Sequence, residues 1–210
     1  MDVLFSCKPV KSIVKEGGSV MAAIIGMKKQ RIFFDLDGVL AVWQDVPPEQ
    51  VSQKGYFSEV PAQENVVAAF RLLGRLPDIE LYILSCVFRD SHSESDKKTW
   101  VARHLDLPEE KQIYCPCGNR KESALQKIGG IRPSDVLVDD YTPNLQCWTG
   151  IPIKLYNGIN GRNGTRKGVS VYFAMRPETI AEQIYEMAAI QPYSILQRIA
   201  CWNAVFSASA

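Results

Sequence analysis

Two aspartates separated by a single residue, Asp35 and Asp37, follow a short apolar segment of the chain. Residues 31–34 suit a buried strand, and Gly38 directly after the aspartates indicates a turn. A parallel α/β sheet has its chemistry at the carboxyl ends of its strands. There, one carboxylate can attack a phosphorus atom while the other moves a proton, and both can lie near a metal ion. The alternative is a strand that ends in a polar turn, since so short a pattern also occurs without a function.

A serine follows a second apolar segment. Residues 81–84, with the sequence LYIL, come directly before Ser85. A hydroxyl at the end of a strand can bind phosphate oxygens together with the backbone N–H groups of the next turn. The alternative is a serine that only caps that turn. Its place after a predicted strand makes Ser85 a candidate phosphate ligand.

Two adjacent aspartates, Asp139 and Asp140, follow a third apolar segment at residues 136–138. Adjacent carboxylates repel each other, so a buried pair needs a compensating positive charge. Mg²⁺ supplies such a charge and prefers hard oxygen ligands, which suits one or two aspartates and a substrate phosphate. The alternative is an acidic turn exposed to solvent.

The transfer of a phosphoryl group also needs a cation close to the negative charge that develops. Lys121 and Lys127 both precede the segment that ends in Asp139. Lys121 follows a predicted turn at residues 118–120, which favours it. Lys127 lies in a predicted short helix and could face solvent, and the sequence leaves the choice between the two open.

Strands and helices alternate from residue 31 onwards. The predicted strands span 31–35, 79–84, 112–114, 136–138 and 153–155. The predicted helices span 62–75, 95–105, 123–128 and 177–189. This order predicts an α/β fold with a doubly wound, mainly parallel sheet. The carboxyl ends of parallel strands share one edge, so we expect Asp35, Ser85 and Asp139 to meet there.

The alternating pattern defines a core at residues 31–190, with a minimal cap insertion at about 41–61. Residues 1–30 do not follow the pattern and form an extension to which the sequence assigns no structure. Apolar residues recur at helical spacing within residues 191–210, which predicts an apolar helical tail. That tail either packs on the core or provides the contact of a homodimer.

Net charge, apolar runs and cysteine spacing give no reason to expect a nucleic acid polymer, a membrane or a zinc site. A net charge of +1 gives no electrostatic reason to expect a nucleic acid polymer or an anionic membrane. The longest uncharged apolar run, at residues 20–27, is far shorter than the roughly 20 residues of a membrane span. The six cysteines lack the spacing of a zinc site, so we expect reduced thiols in a cytoplasmic protein.

The motifs DLDGVL, LSC, a lysine and VLVDD, in this order, resemble the haloacid dehalogenase superfamily of phosphohydrolases over residues 31–155. The resemblance implies that Asp35 is the nucleophile that forms an aspartyl phosphate and that Asp37 is the general acid and then the base. It implies that Ser85 and Lys121 bind the phosphoryl group. The implied cofactor is Mg²⁺, with ligands from Asp35, Asp37, Asp139 and Asp140. From Asp37, the family commonly uses the backbone carbonyl as the metal ligand. An acid at position 37 favours a phosphatase over a dehalogenase, because an alkoxide leaving group needs a proton.

A closer likeness is to the 5′(3′)-deoxyribonucleotidase-like members. It is carried by DLDGVLAVW, YFSEVPAQENVVAAFRLL and VDDYTPNLQCW. It implies a small phosphate ester as substrate, such as a (deoxy)nucleoside monophosphate. Only 49 residues separate Asp35 from Ser85, so a cap has roughly 20 residues, fewer than a helical bundle needs. The alternatives are a sugar phosphate or a larger phosphorylated substrate, or a binding or regulatory protein without turnover.

Two further segments carry candidate substrate contacts. Trp43 and Tyr56 in the cap either stack on a base or pack the cap against the core. The glycine-rich residues 157–168 include Arg162 and Lys167. This segment is either an anion-binding lid over the substrate or a surface loop rich in turn residues.

Overall fold

The computed structural model describes residues 29–89, 92–160 and 168–188. Nearly all of the predicted extension and the whole predicted tail lie outside these ranges, as do Arg162 and Lys167. The roles of those two residues and the homodimer contact of the tail therefore stay predictions. No helix in the described ranges is both long and apolar enough to cross a membrane.

Six parallel strands form one sheet in the described part of the chain. They are β1 (Gln30–Phe34), β2 (Ile79–Val87), β3 (Gln112–Pro116), β4 (Val136–Asp139), β5 (Ile151–Tyr156) and β6 (Ser170–Tyr172). Their spatial order is β3-β2-β1-β4-β5-β6. The chain therefore winds outward from β1 to one edge, returns to the centre at β4 and winds outward to the other edge. The predicted α/β fold with a doubly wound parallel sheet is confirmed.

Helices connect the strands and cover the sheet. The described α-helices are α1 (Pro48–Val51), α2 (Tyr56–Glu59), α3 (Glu64–Gly74), α4 (Ser93–His104), α5 (Thr142–Gln146) and α6 (Pro177–Ala188). Two 3-10 helices span Glu109–Lys111 and Lys121–Ile128. Successive residues of a strand point to opposite faces of the sheet, so β1 contributes to two cores. Phe34 packs in the larger core with α3, α4 and α6, and Phe33 packs in the smaller core with Leu125 and Trp148.

Residues 42–61, the cap segment, lie between the site loop after β1 and helix α3. A bridge between Ala41 and Ala62 closes the two ends of the segment. Its helix α2 is fixed to α4, because the carboxylate of Asp96 accepts the Gly55 N–H at 2.7 Å and the Trp100 indole donates to a cap carbonyl at 2.7 Å. The cap segment is therefore packed against α4, beside the edge of the sheet.

The differences from the sequence prediction that bear on the site and on the sheet order concern β2 and β6. Strand β2 continues to Val87, because β3 pairs with it as far as Pro116. Ser85 consequently lies inside β2, and the prediction that it ends the strand was wrong. Strand β6, Ser170–Tyr172, is also additional, because only its central residue is buried and it carries no apolar run.

Candidate active site

The winding of the chain reverses between β1 and β4, which are neighbours at the centre of the sheet. Asp35 directly follows β1, and Asp139 is the last residue of β4. The backbone N–H of Asp35 donates to the carbonyl of Val138 at 3.0 Å. Open α/β sheets bind ligands at such a switch point, beyond the carboxyl ends of the strands. The topology thus brings both aspartates to the edge where a ligand would bind.

A tight turn after β1 places the first pair of aspartates. The carbonyl of Leu36 accepts the N–H groups of Leu40 at 3.0 Å and Ala41 at 2.8 Å. Gly38 has a φ of 75°, which a glycine adopts without the strain that a side chain would cause. The turn holds Asp35 at the end of the strand and Asp37 at the mouth of the adjacent cavity.

Lys121 joins carboxylates from two strands. Its Nζ atom lies 2.8 Å from Asp35 Oδ2 and 2.7 Å from Asp139 Oδ2. Its side chain is buried. Burial alone would lower the pKa of Lys121, but the two carboxylates outweigh it and raise the pKa above its ordinary value. The ammonium is therefore a fixed positive charge between Asp35 and Asp139.

The side chains of Asp139 and Asp140 have different surroundings. Asp139 accepts the Tyr141 N–H at 2.7 Å and the Asn144 amide at 3.0 Å, in addition to the lysine. Asp140 Oδ2 accepts the amide of Asn157 at 2.9 Å. Asp139 is completely buried, whereas Asp140 borders the cavity.

Three of these carboxylates form an acidic cluster. One oxygen each from Asp35, Asp139 and Asp140 lies within 4.8 Å of the others. Burial and the charges of Asp35 and Asp139 raise the pKa of Asp140 to about 8. Burial also raises the pKa of Asp139, although Lys121 opposes it. Closely spaced oxygen ligands with excess negative charge fit Mg²⁺, which would stabilise their ionised forms.

The carboxylate of Asp37 points to a second lysine. It forms an ion pair with Lys97, which comes from helix α4. Lys97 Nζ also donates to the Ser85 hydroxyl at 3.2 Å and to the Cys86 carbonyl. Burial raises the pKa of Asp37, and the charge of Lys97 partly offsets that effect. Asp37 thus differs from the acidic cluster, since its side chain pairs with a cation of its own.

A cavity of about 740 Å³ opens beside these groups. Its polar lining includes the aspartates and lysines described above, side chains before and after Lys121, and side chains after β4 and β5: Asp35, Asp37, Lys97, Asn119, Arg120, Lys121, Glu122, Asp140, Asn144, Asn157 and Asn160. Its apolar lining comes from the cap segment, the residue after β2 and the region beyond β4: Trp43, Val51, Phe57, Phe88, Tyr141, Pro143, Trp148 and Ile159. Charged groups beside a predominantly apolar lining suit a ligand with an anionic head and an apolar body.

The predicted site residues divide into those that border the cavity and those that do not. Ser85 is fully buried and outside the cavity lining, and its hydroxyl accepts a hydrogen bond from Lys97. Trp43 lines the cavity with 43% of its surface exposed. Tyr56 does not line it and instead packs against Phe57 with ring centroids 5.1 Å apart. Lys127 is exposed on the 3-10 helix, and Lys121 is the lysine that reaches the acidic cluster.

Sequence reasoning missed Lys97, Asn144 and Asn157. Lys97 resembles any charged residue of a surface helix, but it precedes Trp100 by three positions and so shares the buried face of α4. That spacing is the signal that could have identified it. Asn144 and Asn157 carry no comparable signal, because asparagines are frequent in loops and turns.

Comparisons with known proteins give weak matches. No family model matches the chain, and no curated protein matches it. A protein from Mesorhizobium loti, provisionally described as a HAD-like phosphatase, is 13% identical with a TM-score of 0.48 over 79% of this chain and 89% of that one. DsGPDH of Dunaliella salina is 17% identical with a TM-score of 0.42 over 80% of this chain and 30% of that one. At these TM-scores neither similarity carries an argument about function.

Proposed function

We propose that the protein is a Mg²⁺-dependent phosphomonoester hydrolase of the haloacid dehalogenase superfamily. Asp35 attacks the phosphorus atom and becomes an aspartyl phosphate, which water then hydrolyses. The observation that carries the proposal is the buried ammonium of Lys121 between Asp35 and Asp139 at the switch point of the sheet. A carboxylate beside a fixed cation and an acidic cluster suits phosphoryl transfer.

The surroundings of Asp35 support its role as the nucleophile. Its Oδ1 atom accepts the N–H of Leu36 at 2.8 Å, and its Oδ2 atom lies 2.8 Å from Lys121. These contacts fix the carboxylate at the cavity, so little ordering is needed when the substrate binds. Lys121 also offsets the negative charge of an approaching phosphate.

Asp37 suits the proton transfers. Its raised pKa favours a protonated carboxyl that can donate to the leaving oxygen. After the ester bond breaks, the same side chain is ionised and takes a proton from the attacking water. The contact with Lys97 holds the Asp37 side chain in place for both steps, and it is an ion pair when Asp37 is ionised.

The acidic cluster would hold the cation. Asp35, Asp139 and Asp140 supply carboxylate oxygens, and the sequence resemblance adds the backbone carbonyl of Asp37. Bound Mg²⁺ would neutralise the charge of the phosphoryl oxygens. Because Lys97 borders the cavity and Ser85 does not, we assign phosphate contacts to Lys97 and Lys121 and give Ser85 the role of positioning Lys97.

The cavity favours a nucleotide over a sugar phosphate. A sugar needs a hydrogen-bond partner for each buried hydroxyl, whereas the cap side of the cavity presents Trp43, Phe57 and Phe88. Aromatic rings can stack on a nucleobase. We therefore propose a (deoxy)nucleoside monophosphate as substrate, and Trp43→Ala should raise its KM but not that of acetyl phosphate, which has no ring. Tyr172→Ala, at an exposed ring on β6 outside the cavity, is the matched control.

Hydrolysis of p-nitrophenyl phosphate tests the activity. Purified protein with Mg²⁺ should release p-nitrophenol, and EDTA should abolish the release. Asp35→Asn should abolish turnover, whereas Asp106→Asn, at an exposed position outside the cavity, should retain it. An unchanged rate in Asp35→Asn would exclude Asp35 as the nucleophile. No turnover across a broad panel of phosphate esters would instead favour a binding protein.

A leaving-group series tests Asp37. Asp37→Asn should slow esters with basic leaving oxygens more than p-nitrophenyl phosphate, because a poor leaving group depends most on general acid catalysis. The measurement is single-turnover formation of product across the series. Equal losses for all leaving groups would contradict the role of an acid.

A further inference from the structure

Two thiols face each other beside the candidate active site. Cys86 on β2 and Cys115 on β3 are partners in the register of these parallel strands. Their Sγ atoms lie 3.6 Å apart, and both are free thiols. Neighbouring strands are about 4.8 Å apart. That separation falls within the roughly 4.4–6.8 Å between Cα atoms that a disulfide spans, so the backbone already has a suitable spacing.

The two thiols differ in access. Cys86 lines the cavity, close enough for the charges of Lys121 and Asp35 to act on its thiol. Cys115 is buried and outside the cavity lining. The hydrogen bond with Cys115 lowers the pKa of the Cys86 thiol, against the effect of burial. A thiol that is both accessible and more acidic is the one that an oxidant attacks first.

We propose that Cys86 is a site of reversible oxidation and that Cys115 is its resolving thiol. Hydrogen peroxide oxidises the Cys86 thiol to a sulfenic acid and is itself reduced to water. The Cys115 sulfur then attacks the Cys86 sulfur, a second water leaves, and a disulfide forms. A dithiol reductant returns both residues to thiols and is oxidised to its own disulfide.

Oxidation would act on the catalytic groups through Lys97. The carbonyl of Cys86 and the hydroxyl of Ser85 are two of the acceptors that hold the Lys97 ammonium against Asp37. Forming the disulfide draws the two sulfurs from 3.6 Å to about 2.05 Å and pulls Cys86 towards β3. This movement should loosen the ion pair and lower activity, a consequence that rests on the proposed function.

A third thiol, on Cys117, provides the matched control. Cys117 is exposed and also borders the cavity, two residues beyond Cys115. Burial raises the pKa of the Cys117 thiol, and the nearby Cys86 thiol adds to that effect. Cys117 is therefore the competing partner for an oxidised Cys86, and the test has to separate Cys115 from Cys117.

Peptide mapping of the full chain after peroxide treatment and thiol blocking provides that test. Trypsin should release residues 76–89 linked to residues 112–120. The link should persist in Cys117→Ser and be lost in Cys115→Ser, in which dimedone should label the sulfenic acid on Cys86. A link that disappears in Cys117→Ser but persists in Cys115→Ser would overturn the assignment of the resolving thiol. No link and no dimedone label in any variant would overturn the proposal.

Activity gives the second readout. In the Cys117→Ser background, peroxide should lower hydrolysis of p-nitrophenyl phosphate several-fold, and dithiothreitol should restore it. In Cys115→Ser, dithiothreitol should restore less activity, because the unresolved sulfenic acid oxidises further to forms that dithiols do not reduce. A protein that forms the cross-link but never hydrolyses a phosphate ester would disprove the proposed function and leave the oxidation site intact.

Discussion

The backbone of Gly38 lies directly against the carboxylate of Asp140. A β-carbon added at Gly38 would be 2.4 Å from Asp140 Oδ2, well below any normal contact. The two residues are also linked by Asn157, whose amide donates to the Gly38 carbonyl and to Asp140 Oδ2, both at 2.9 Å. The glycine of the turn thus sets the space in which the carboxylate of Asp140 sits.

Gly38→Ala should therefore displace Asp140 and weaken the cation site. We expect kcat/KM to fall on the order of a hundredfold, the scale of a small misplacement of catalytic groups. The positive φ adds strain of about 1–3 kcal/mol to the folded state. Mg²⁺ titration of activity and chemical denaturation measure the two effects separately.

Gly129→Ala is the control for this variant. Gly129 has a φ of 84°, but no atom lies within 4 Å of the position that its β-carbon would take. It should lose stability from the backbone strain and retain its Mg²⁺ dependence. Equal effects of the two substitutions on the Mg²⁺ titration would contradict the steric role of Gly38.

Lys121→Met should cost both activity and stability. Breaking a buried ion pair from one side typically destabilises a protein by about 3–5 kcal/mol, because the remaining charges lose their partner. Losing a cation that stabilises the transferring group should lower kcat by about 10²–10³. Lys127→Met, at an exposed position on the same 3-10 helix, should change stability by no more than about 0.5 kcal/mol and leave kcat unchanged. If Lys127→Met were the inactive variant, the assignment of the lysine would be wrong.

The parts of the site that the sequence could predict follow from strand patterns. Asp35 and Asp139 each adjoin a run of buried apolar residues, and parallel strands place their carboxyl ends at a common edge. Their convergence therefore needed no knowledge of side-chain packing. The acidic cluster is the most predictable part of the site for that reason.

The remaining contacts depend on tertiary packing that local patterns do not carry. Ser85 was placed at a strand end, but pairing with β3 extends β2 beyond it and buries the hydroxyl. Lys97 is buried because Phe57 of the cap segment lies over its ammonium, with 4.5 Å between Nζ and the ring centroid. The spacing to Trp100 could place Lys97 on the buried face of α4, but the position of the cap segment relative to α4 decides the contact with Phe57, and no spacing in the sequence encodes that position.

Lys97→Met should change the pH dependence of turnover. The methionine keeps an apolar chain beside Phe57, so the loss is mainly that of the charge. An adjacent opposite charge lowers the pKa of a carboxyl by about 1–3 units. Without it the pKa of Asp37 rises further, and less of the base is ionised at a given pH. The ascending limb of the kcat profile should move upward by about 1 pH unit or more.

The neighbouring lysine is the control for that experiment. Lys98 pairs with Glu94 at 2.9 Å on the outer side of α4 and does not line the cavity. Lys98→Met should leave the pH profile in place. An unshifted profile in Lys97→Met would show that its ion pair does not set the ionisation of Asp37.

Stabilisation by Mg²⁺ should increase with pH. In the metal-free protein, burial and the charges of Asp35 and Asp139 raise the pKa of Asp140 from its ordinary value of 3.8 to about 8. The stability that the protonated form contributes is complete below the unfolded-state pKa and is lost as the pH rises through about 8. Mg²⁺ requires the ionised carboxylate, so below that pH its binding must displace a proton, and its apparent affinity should fall by up to about tenfold per pH unit.

The increase in Tm on adding Mg²⁺ should therefore be small at about pH 6 and larger at about pH 9. Asp140→Asn should remove this dependence while Asp106→Asn retains it, and an equal Mg²⁺ shift at both pH values in the unmodified protein would exclude a protonated Asp140 from the metal-free site.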